Sequence, residues 1–269
     1  MYSATTTVIF NLFNFYFFGA RRILEKNMRI SRLYTPIPLT QGQHIELDDD
    51  SGHYVRTVLR LKKADAIILF NGDGSDCHCT IDEVSRKAVR IAVEQRQERS
   101  VESPLHVTLG LGISRGDRMD LSVQKAVELG VNHITPLLTE RCVVQFKGEK
   151  KPQRLLHWQK IVQHAAEQSG RTVLPELAEI ELLPNWVNQQ QGLKVFLDPY
   201  AQTSLAQLKP EAMKVTLLTG PEGGFADHER DLAKAAGFIP VRLGRRILRT
   251  ETASLAALAA VQMLWGDFN

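Results

Sequence analysis

The spacing of apolar residues changes near residue 100 and divides the chain into two patterns. Before that point, short apolar runs at residues 66–70, 77–81 and 87–93 are separated by turn-forming residues such as the NGDG string at 71–74. Short strands at such regular spacing are typical of a small β-barrel. We therefore predict a barrel-like β domain in the first part of the chain.

One helix is predicted inside this β domain, at residues 53–61. Its apolar positions, Tyr54, Val55, Val58 and Leu59, repeat at helical spacing. The opposite face carries basic side chains: His53, Arg56, Arg60, Lys62 and Lys63. Either a solvated charged face or contacts with nucleic-acid phosphates would explain this run, and the pattern leaves both interpretations open.

Beyond residue 104 the pattern alternates between strands and helices. Strands are predicted at residues 105–111, from 131, and at 195–197, 215–219 and 241–243. Helices are predicted around residues 119–127, before Gly130, and at 155–168, 227–236 and 250–264. This alternation is typical of an α/β domain whose parallel sheet is covered by helices. The last helix is apolar around most of its circumference, so we expect it to be buried or to lie in an interface.

The polar stretch at residues 94–103 has no apolar period and is interpreted as the linker between the two domains. We place the β domain at residues 28–98 and the α/β domain at residues 103–269.

Residues 1–27 match neither pattern. Their apolar run at residues 8–18 is shorter than the roughly 20 residues that cross a bilayer, and the basic residues follow it instead of preceding it as in a secretory signal. We expect an N-terminal extension that is disordered or arises from an upstream start codon, with Met28 as the working first residue. An uncleaved membrane anchor or an organellar presequence is the alternative.

Composition favours a cytoplasmic protein that binds neither membrane nor metal. The chain is 43% hydrophobic and has a formal net charge of +3, which permits an RNA partner without demanding one. Its three cysteines are an odd number without a secretory context, as expected for reduced thiols. The string Cys77-His78-Cys79 lacks the second ligand pair of a tetrahedral zinc site, so we interpret it as part of a strand.

Two loops in the α/β domain have the composition of a ligand site. The string GPEGG at residues 220–224 follows the strand at 215–219, and GRRILRTETA at 244–253 follows the strand at 241–243. Ligands of parallel α/β sheets bind at the carboxyl ends of strands, and glycines let the backbone approach a ligand closely. We therefore predict a small-molecule site formed by these loops.

Common nucleotide-binding signatures do not account for this site. The chain contains no P-loop string, and the GLGISRG string at residues 110–116 has its third glycine one position too late for a dinucleotide fingerprint. The His-Glu-x-x-His pattern of metalloproteases is also absent from the sequence.

The two loops together resemble the cofactor signature of the SPOUT methyltransferases and, within them, of the bacterial 16S rRNA uracil N3-methyltransferase family. Further resemblance lies in MRISRLY at residues 28–34, SRGDRM at 114–119, QKAVELG at 124–130 and EQSGR at 167–171. The resemblance covers the chain from Met28 to its end. It implies a PUA-like barrel, a trefoil-knotted SPOUT domain, a homodimer, and S-adenosylmethionine-dependent methylation of N3 of a uridine in 16S rRNA of the small ribosomal subunit.

The resemblance also assigns roles to individual residues. Cofactor contacts are expected from these positions: Thr219, Gly220, Glu222, Gly223, Leu243, Gly244 and Leu248. Separately from the resemblance, we expect RNA contacts from Arg56 and Arg60 on the basic helix face and from Arg115. Because N3 of uridine carries a proton, a base or a cation that stabilises the uridine anion must assist the transfer. The candidates are Arg249 for charge stabilisation, Glu222 as a base or an orienting group, and Arg171.

Two other functions remain open from the sequence. The first alternative is a methyltransferase of the same SPOUT class that acts on another rRNA or tRNA site. The second is a non-catalytic RNA-binding protein that assists ribosome assembly. Complete cofactor loops favour an enzyme, because a binding module does not need them.

Overall fold

A computed structural model describes residues 30–142 and 150–268 of the chain, and the proposed extension at residues 1–27 lies outside them. The described residues form two compact units. The first contains residues 30–35, 39–69 and 77–96, and the second contains residues 36–38, 70–76 and the part from 97 onward. In the described ranges no helix is both long enough and apolar enough to span a membrane.

The first unit is built on a five-stranded sheet with the order β1-β3-β4-β5-β2. Strand β3 pairs antiparallel with β4, and β2 pairs antiparallel with β5. Cys77 and Cys79 are buried in β4, which confirms their interpretation as strand residues. The strands are β1 Arg32–Tyr34, β2 His44–Glu46, β3 Ala66–Phe70, β4 Ser75–Val84 and β5 Val89–Glu98.

The helix of the first unit begins earlier than the apolar spacing predicted. Helix α1 spans Asp49–Tyr54 and continues as a π-helical turn, Val55–Leu59. Asp48 caps the helix, since its carboxylate accepts a hydrogen bond of 2.8 Å from the backbone N–H of Ser51. The prediction for residues 53–61 missed this polar cap because it followed only the apolar positions.

The predicted linker at residues 94–103 is also partly wrong, because β5 continues to Glu98. The last residues of β5 are polar and exposed. A strand is held by backbone pairing, so its exposed end needs no apolar alternation. Polarity alone therefore placed the start of the linker too early.

The second unit contains a seven-stranded sheet with the order β12-β10-β11-β6-β7-β8, and β9 also pairs with β7. All of these pairings are parallel, which confirms the predicted α/β class. The strands are β6 His106–Gly112, β7 His133–Leu138, β8 Glu176–Leu177, β9 Glu181–Leu182, β10 Leu193–Leu197, β11 Lys214–Thr219 and β12 Ile239–Val241. The helices are α2 Asp117–Glu128, α3 Lys150–Ser169, α4 Leu183–Val187, α5 Asp227–Ala235 and α6 Thr250–Trp265, with a 3₁₀ turn at Leu205–Gln207.

The central strands β6 and β11 are buried almost throughout, as expected for a parallel sheet covered on both faces. Helix α6 packs against α2 and β11. Its buried Gln262 donates a 3.0 Å hydrogen bond to the carbonyl of Leu129 and accepts a 2.7 Å bond from the hydroxyl of Ser103. These bonds satisfy a polar group that would otherwise destabilise the core.

Candidate functional site

A cavity of about 630 Å³ lies at the carboxyl ends of three neighbouring strands, β10, β11 and β12. Its walls include part of the loop after each strand: residues 198–200, 219–225, 241–243 and 246–249. This is the edge at which parallel α/β sheets bind ligands. The sequence predicted two of these loops, and the structure adds the loop after β10.

The loop after β11 is shaped by its glycines. Gly224 has a φ of 65°, and its N–H donates a 2.9 Å hydrogen bond to the carbonyl of Pro221, which closes a tight turn. A Cβ on Gly223 would lie 2.9 Å from the Cβ of Arg141, closer than side chains tolerate. Glycine at 223 therefore lets this loop pass against the segment that follows β7.

Glu222 connects the loop to the start of α2. One oxygen of its carboxylate accepts hydrogen bonds of 3.0 Å from the backbone N–H of Arg115 and from the guanidinium of Arg118. Burial alone would raise the pKa of Glu222, but these bonds outweigh it and hold that pKa below its ordinary value. Glu222 is therefore an ionised group at neutral pH and a weak base, suited to orienting its neighbours.

Thr219 connects the end of β11 to helix α6. Its hydroxyl oxygen accepts a 3.1 Å hydrogen bond from Ser254, whose hydroxyl also lies 3.0 Å from the carbonyl of Thr250. The side chain of Thr219 thus links the end of β11 to helix α6 at the cavity.

Glu251 is a cavity residue that the sequence did not indicate. It lies in the first turn of α6, and its Oε2 atom is buried without a hydrogen-bond partner among the described residues. A buried carboxylate oxygen without a partner is unfavourable, because it has lost its hydrogen bonds to water and has formed none to the protein. The arrangement suits a ligand that brings its own hydrogen-bond donor.

The cavity is positively charged. Six arginines and three carboxylates are among its lining residues, an excess of three positive charges. Two of the arginines are paired: Arg118 with Glu222 at 3.0 Å and Arg230 with Asp198 at 3.5 Å. The other four have no carboxylate partner within the described ranges of the chain: Arg141, Arg242, Arg246 and Arg249.

Most of the residues expected to contact a cofactor lie together around this cavity. Gly244 has a φ of 76° and follows Leu243 in the loop after β12. Arg249 is exposed and directly precedes α6. The expected cofactor residues that line the cavity are Thr219, Gly220, Glu222, Gly223, Leu243 and Leu248, whereas Gly244 is not among the lining residues. The catalytic candidate Arg249 also lines the cavity.

Arg171 is not among the lining residues, and its surroundings argue against the catalytic role suggested by the sequence. It is 5% exposed and forms an ion pair with Glu102, with 3.1 Å between Nε and Oε1. Its Nη1 atom also donates to the carbonyls of Val127 and Val131 at 3.0 and 2.8 Å. A guanidinium bound in this way holds the chain together, so we propose a structural role for Arg171 instead.

The three arginines expected to contact RNA lie outside the cavity lining. Arg56 and Arg60 belong to the first unit, where Arg56 is half-buried and Arg60 is exposed in a left-handed conformation with a φ of 54°. Arg115 belongs to the second unit, is exposed, and contributes its backbone N–H to Glu222. All three roles stay predictions.

Residues 112–116, GISRG, fit the Gly-x-Ser-x-Gly pattern of hydrolase nucleophile elbows. Ser114, however, is 3% exposed, and its hydroxyl lies 3.4 Å from the carbonyl of Gly112. A nucleophilic serine must be exposed and next to a base. This string therefore does not form a hydrolase site.

The sequence also matches the models of two protein families. Residues 101–262 match an RNA methyltransferase domain, and residues 47–94 match an RNA methyltransferase PUA domain. The first match covers more than half of the chain. The two matches fall on the α/β and β parts of the chain respectively.

Similar proteins span nearly the same length. The chain is 38% identical over 243 residues to ribosomal RNA small subunit methyltransferase E of Buchnera aphidicola, covering 90% of this chain and 99% of the relative. A methyltransferase of Legionella pneumophila, solved with bound cofactor SAM, is 39% identical with a TM-score of 0.87, covering 90% of this chain and 100% of that one. Ribosomal RNA small subunit methyltransferase E of Neisseria gonorrhoeae, solved with S-adenosyl methionine, is 37% identical with a TM-score of 0.84 and the same coverage. The chain therefore belongs to the ribosomal RNA small subunit methyltransferase E family.

Proposed function

We propose that this protein transfers a methyl group from S-adenosylmethionine to N3 of a uridine in the 16S rRNA of the small ribosomal subunit. The observation that carries the proposal is the cavity at the ends of β10, β11 and β12, in which a glycine loop, a buried carboxylate oxygen and unpaired arginines meet. Solved relatives of 37% and 39% identity bind S-adenosylmethionine, which supports the same cofactor here.

The residues of the cavity fit this cofactor. Backbone groups of the loop at 220–224 can approach its polar atoms closely, and Leu243 and Leu248 offer apolar contact for the adenine ring. The unpaired Oε2 of Glu251 can accept a hydrogen bond from a ribose hydroxyl or from the ammonium group of the cofactor. When bound, the cofactor supplies an electrophilic methyl group.

The residues of this chain must make N3 of uridine nucleophilic. Loss of the N3 proton places negative charge on the two neighbouring carbonyl oxygens, and a guanidinium can stabilise that charge. Arg249 is our candidate, because it is exposed at the cavity and has no carboxylate partner in the described residues. Glu222 is our candidate for an orienting residue, since it fixes Arg118 and its lowered pKa makes it a weak base.

Unpaired positive charge also suits an RNA substrate. Lys and Arg side chains contribute sequence-independent affinity by binding phosphates. Arg141, Arg242 and Arg246 can serve this purpose at the cavity, and we propose that Arg56, Arg60 and Arg115 do so elsewhere on the protein. Binding should therefore weaken steeply as the salt concentration rises.

A homodimer is part of the proposal. Helix α6 leaves Met263 and Leu264 exposed at 56% and 42%, and Leu121 of α2 is 39% exposed. Exposed apolar side chains on packed helices are favoured sites of association. Sedimentation equilibrium should give twice the mass of the chain, and Met263→Glu should shift the protein toward the monomer.

The trefoil knot is a further part of the proposal and follows from the family resemblance. We also propose domain limits at residues 28–98 and 103–269 from the polar stretch between them, and action in the cytoplasm and catalysis without a metal from the pattern of cysteines. Methyl transfer from a sulfonium is a displacement that involves no change of oxidation state, which is consistent with the last of these.

Calorimetry with S-adenosylmethionine separates this proposal from a non-catalytic role in ribosome assembly. An enzyme with a formed cofactor site should bind the cofactor with measurable heat, and Glu251→Ala should weaken that binding because the unpaired oxygen is removed. Glu176→Ala is a control at an exposed carboxylate outside the cavity lining. Absence of any heat with the folded protein would leave only the binding-module alternative.

A further inference from the structure

Tyr200 is the most exposed aromatic side chain at the cavity, with 70% of its surface open. It lies in the loop after β10, which the sequence motifs do not include. Thr219 and Val241, at the ends of the two neighbouring strands, are only 1% and 0% exposed. The cavity therefore has a closed floor at the strand ends, and Tyr200 lies at its open rim.

The position of Tyr200 is fixed by its neighbours. Its backbone N–H donates a 2.9 Å hydrogen bond to the carboxylate of Asp198, which closes a short turn around Pro199. The same carboxylate pairs with Arg230 at 3.5 Å, and the guanidinium of Arg230 lies 5.8 Å from the centre of the Tyr200 ring. The turn at Asp198 thus fixes the backbone of Tyr200, and the cation–π contact with Arg230 fixes its ring.

A ring held in this way while remaining open to solvent contributes little to the core of the protein. Burial of a tyrosine stabilises a fold, whereas an exposed ring keeps most of its apolar surface in water. The surrounding charge is positive, which attracts a polyanion. Exposed aromatic rings beside cationic grooves are what proteins use to stack unpaired nucleobases.

We propose that Tyr200 is a stacking platform for the uracil base that enters the cavity. This inference rests on the proposed function, in which the acceptor is N3 of uridine. N3 lies on the Watson–Crick edge, so the base must be unpaired and turned out of any stack before it can be methylated. Stacking on Tyr200 would replace the contacts that the base gives up and would hold its edge toward the cavity floor.

Single-stranded RNA binding tests the platform without relying on activity. The probes are a fluorescein-labelled oligouridine and an abasic oligonucleotide with the same sugar–phosphate backbone, each measured by anisotropy in the presence of S-adenosylhomocysteine. Tyr200→Ala should weaken binding of the oligouridine by about 5- to 150-fold, the range measured for loss of base–aromatic stacking, and leave binding of the abasic probe unchanged. Tyr200→Phe should bind both probes like the wild type, because it retains the ring.

Two controls complete the experiment. Phe268→Ala removes another exposed aromatic side chain outside the cavity lining and should alter neither affinity. Calorimetry with S-adenosylmethionine should give the same affinity for Tyr200→Ala as for the wild type. If the variant instead loses cofactor affinity, Tyr200 belongs to the cofactor wall and the platform is wrong.

The remaining outcomes are equally decisive. If Tyr200→Ala weakens the binding of both probes equally, Tyr200 contacts the sugar–phosphate backbone of the RNA and not a base. If the variant weakens the binding of neither probe, Tyr200 does not touch RNA. Each result overturns the inference. If the wild type fails to methylate rRNA but the difference between the probes persists, the proposed function fails while the platform stands. Methylation that is as fast in Tyr200→Ala as in the wild type at subsaturating RNA would contradict the platform alone.

Discussion

Glu222 accepts a 3.0 Å hydrogen bond from the guanidinium of Arg118, and this contact joins the loop after β11 to the first turn of α2. The backbone N–H of Arg115 binds the same carboxylate oxygen. Two segments more than 100 residues apart in sequence are thereby fixed at one wall of the cavity. The carboxylate within the glycine loop consequently acts as a connection between elements.

Glu222→Gln should separate an orienting role from a basic one. Because the pKa of Glu222 is lowered, the contribution of its ionised carboxylate to stability is fully present above the ordinary pKa of a glutamate. That contribution is lost only as the pH falls through the lower pKa that Glu222 has in the folded protein. Between pH 6 and 9 the variant should therefore lower the methylation rate by a constant factor, about 10-fold, with an unchanged pH profile. Methylation rates measured across this range, with Glu176→Gln as an exposed control, test the point. If the wild-type rate rises with pH in this range and the rate of the variant does not, Glu222 is the base.

Arg249 should affect chemistry more than cofactor binding. Arg249→Ala should lower the single-turnover methylation rate by at least about 10²-fold, the size expected for a group that stabilises developing charge. Arg249→Lys should rescue poorly, because a point charge cannot reproduce a planar two-pronged contact. Cofactor titration of each variant is the companion measurement. A rate that falls only in step with cofactor affinity would move Arg249 into the cofactor site.

Gly223→Val should abolish cofactor binding in a protein that still folds. Its Cβ would collide with Arg141, so the loop would have to move away from the segment after β7. We expect no measurable cofactor binding at concentrations that saturate the wild type. Circular dichroism checks the fold and calorimetry checks the affinity. Affinity within a few fold of the wild type would mean that this loop is only a turn.

Arg171→Ala should destabilise the protein, because it removes the buried cation that pairs with the partly buried carboxylate of Glu102, which is 19% exposed. Breaking a buried ion pair by removing one partner costs about 3–5 kcal/mol. Urea unfolding measures this loss, and the folded fraction should keep its methylation rate. An unchanged midpoint together with a rate lowered 10²-fold would return Arg171 to the catalytic group.

The sequence predicted the α/β class and two of the three cavity loops, because both depend on local signals. Apolar runs mark buried parallel strands such as β11, and clustered glycines mark a backbone that passes close to other atoms. Short elements such as α4, β8 and β9 carry no such signal, because two to five residues cover little more than one period of a strand or a helix and cannot show a repeat. They were therefore missed.

The loop after β10 was missed for a different reason. Asp198 and Tyr200 become part of a site only because β10 lies between β11 and β12 in the sheet. The order of strands in a sheet cannot be predicted from the residues of each strand alone. The same holds for Arg171, whose partner Glu102 is 69 positions away. The local sequence does not show this ion pair, so the catalytic assignment of Arg171 was made without it and stays a prediction. Glu251 could have been found, because it follows Arg249 in the same string.

Mass spectrometry of nucleosides from 16S rRNA tests the central claim most directly. Small-subunit rRNA from a strain lacking this protein would be incubated with the purified protein and S-adenosylmethionine, with Arg249→Ala protein as the matched control. The account predicts one 3-methyluridine per 16S rRNA with the wild type and at least about 10²-fold slower formation with the variant. Absence of methylated uridine, or a methyl group on another base, would contradict it.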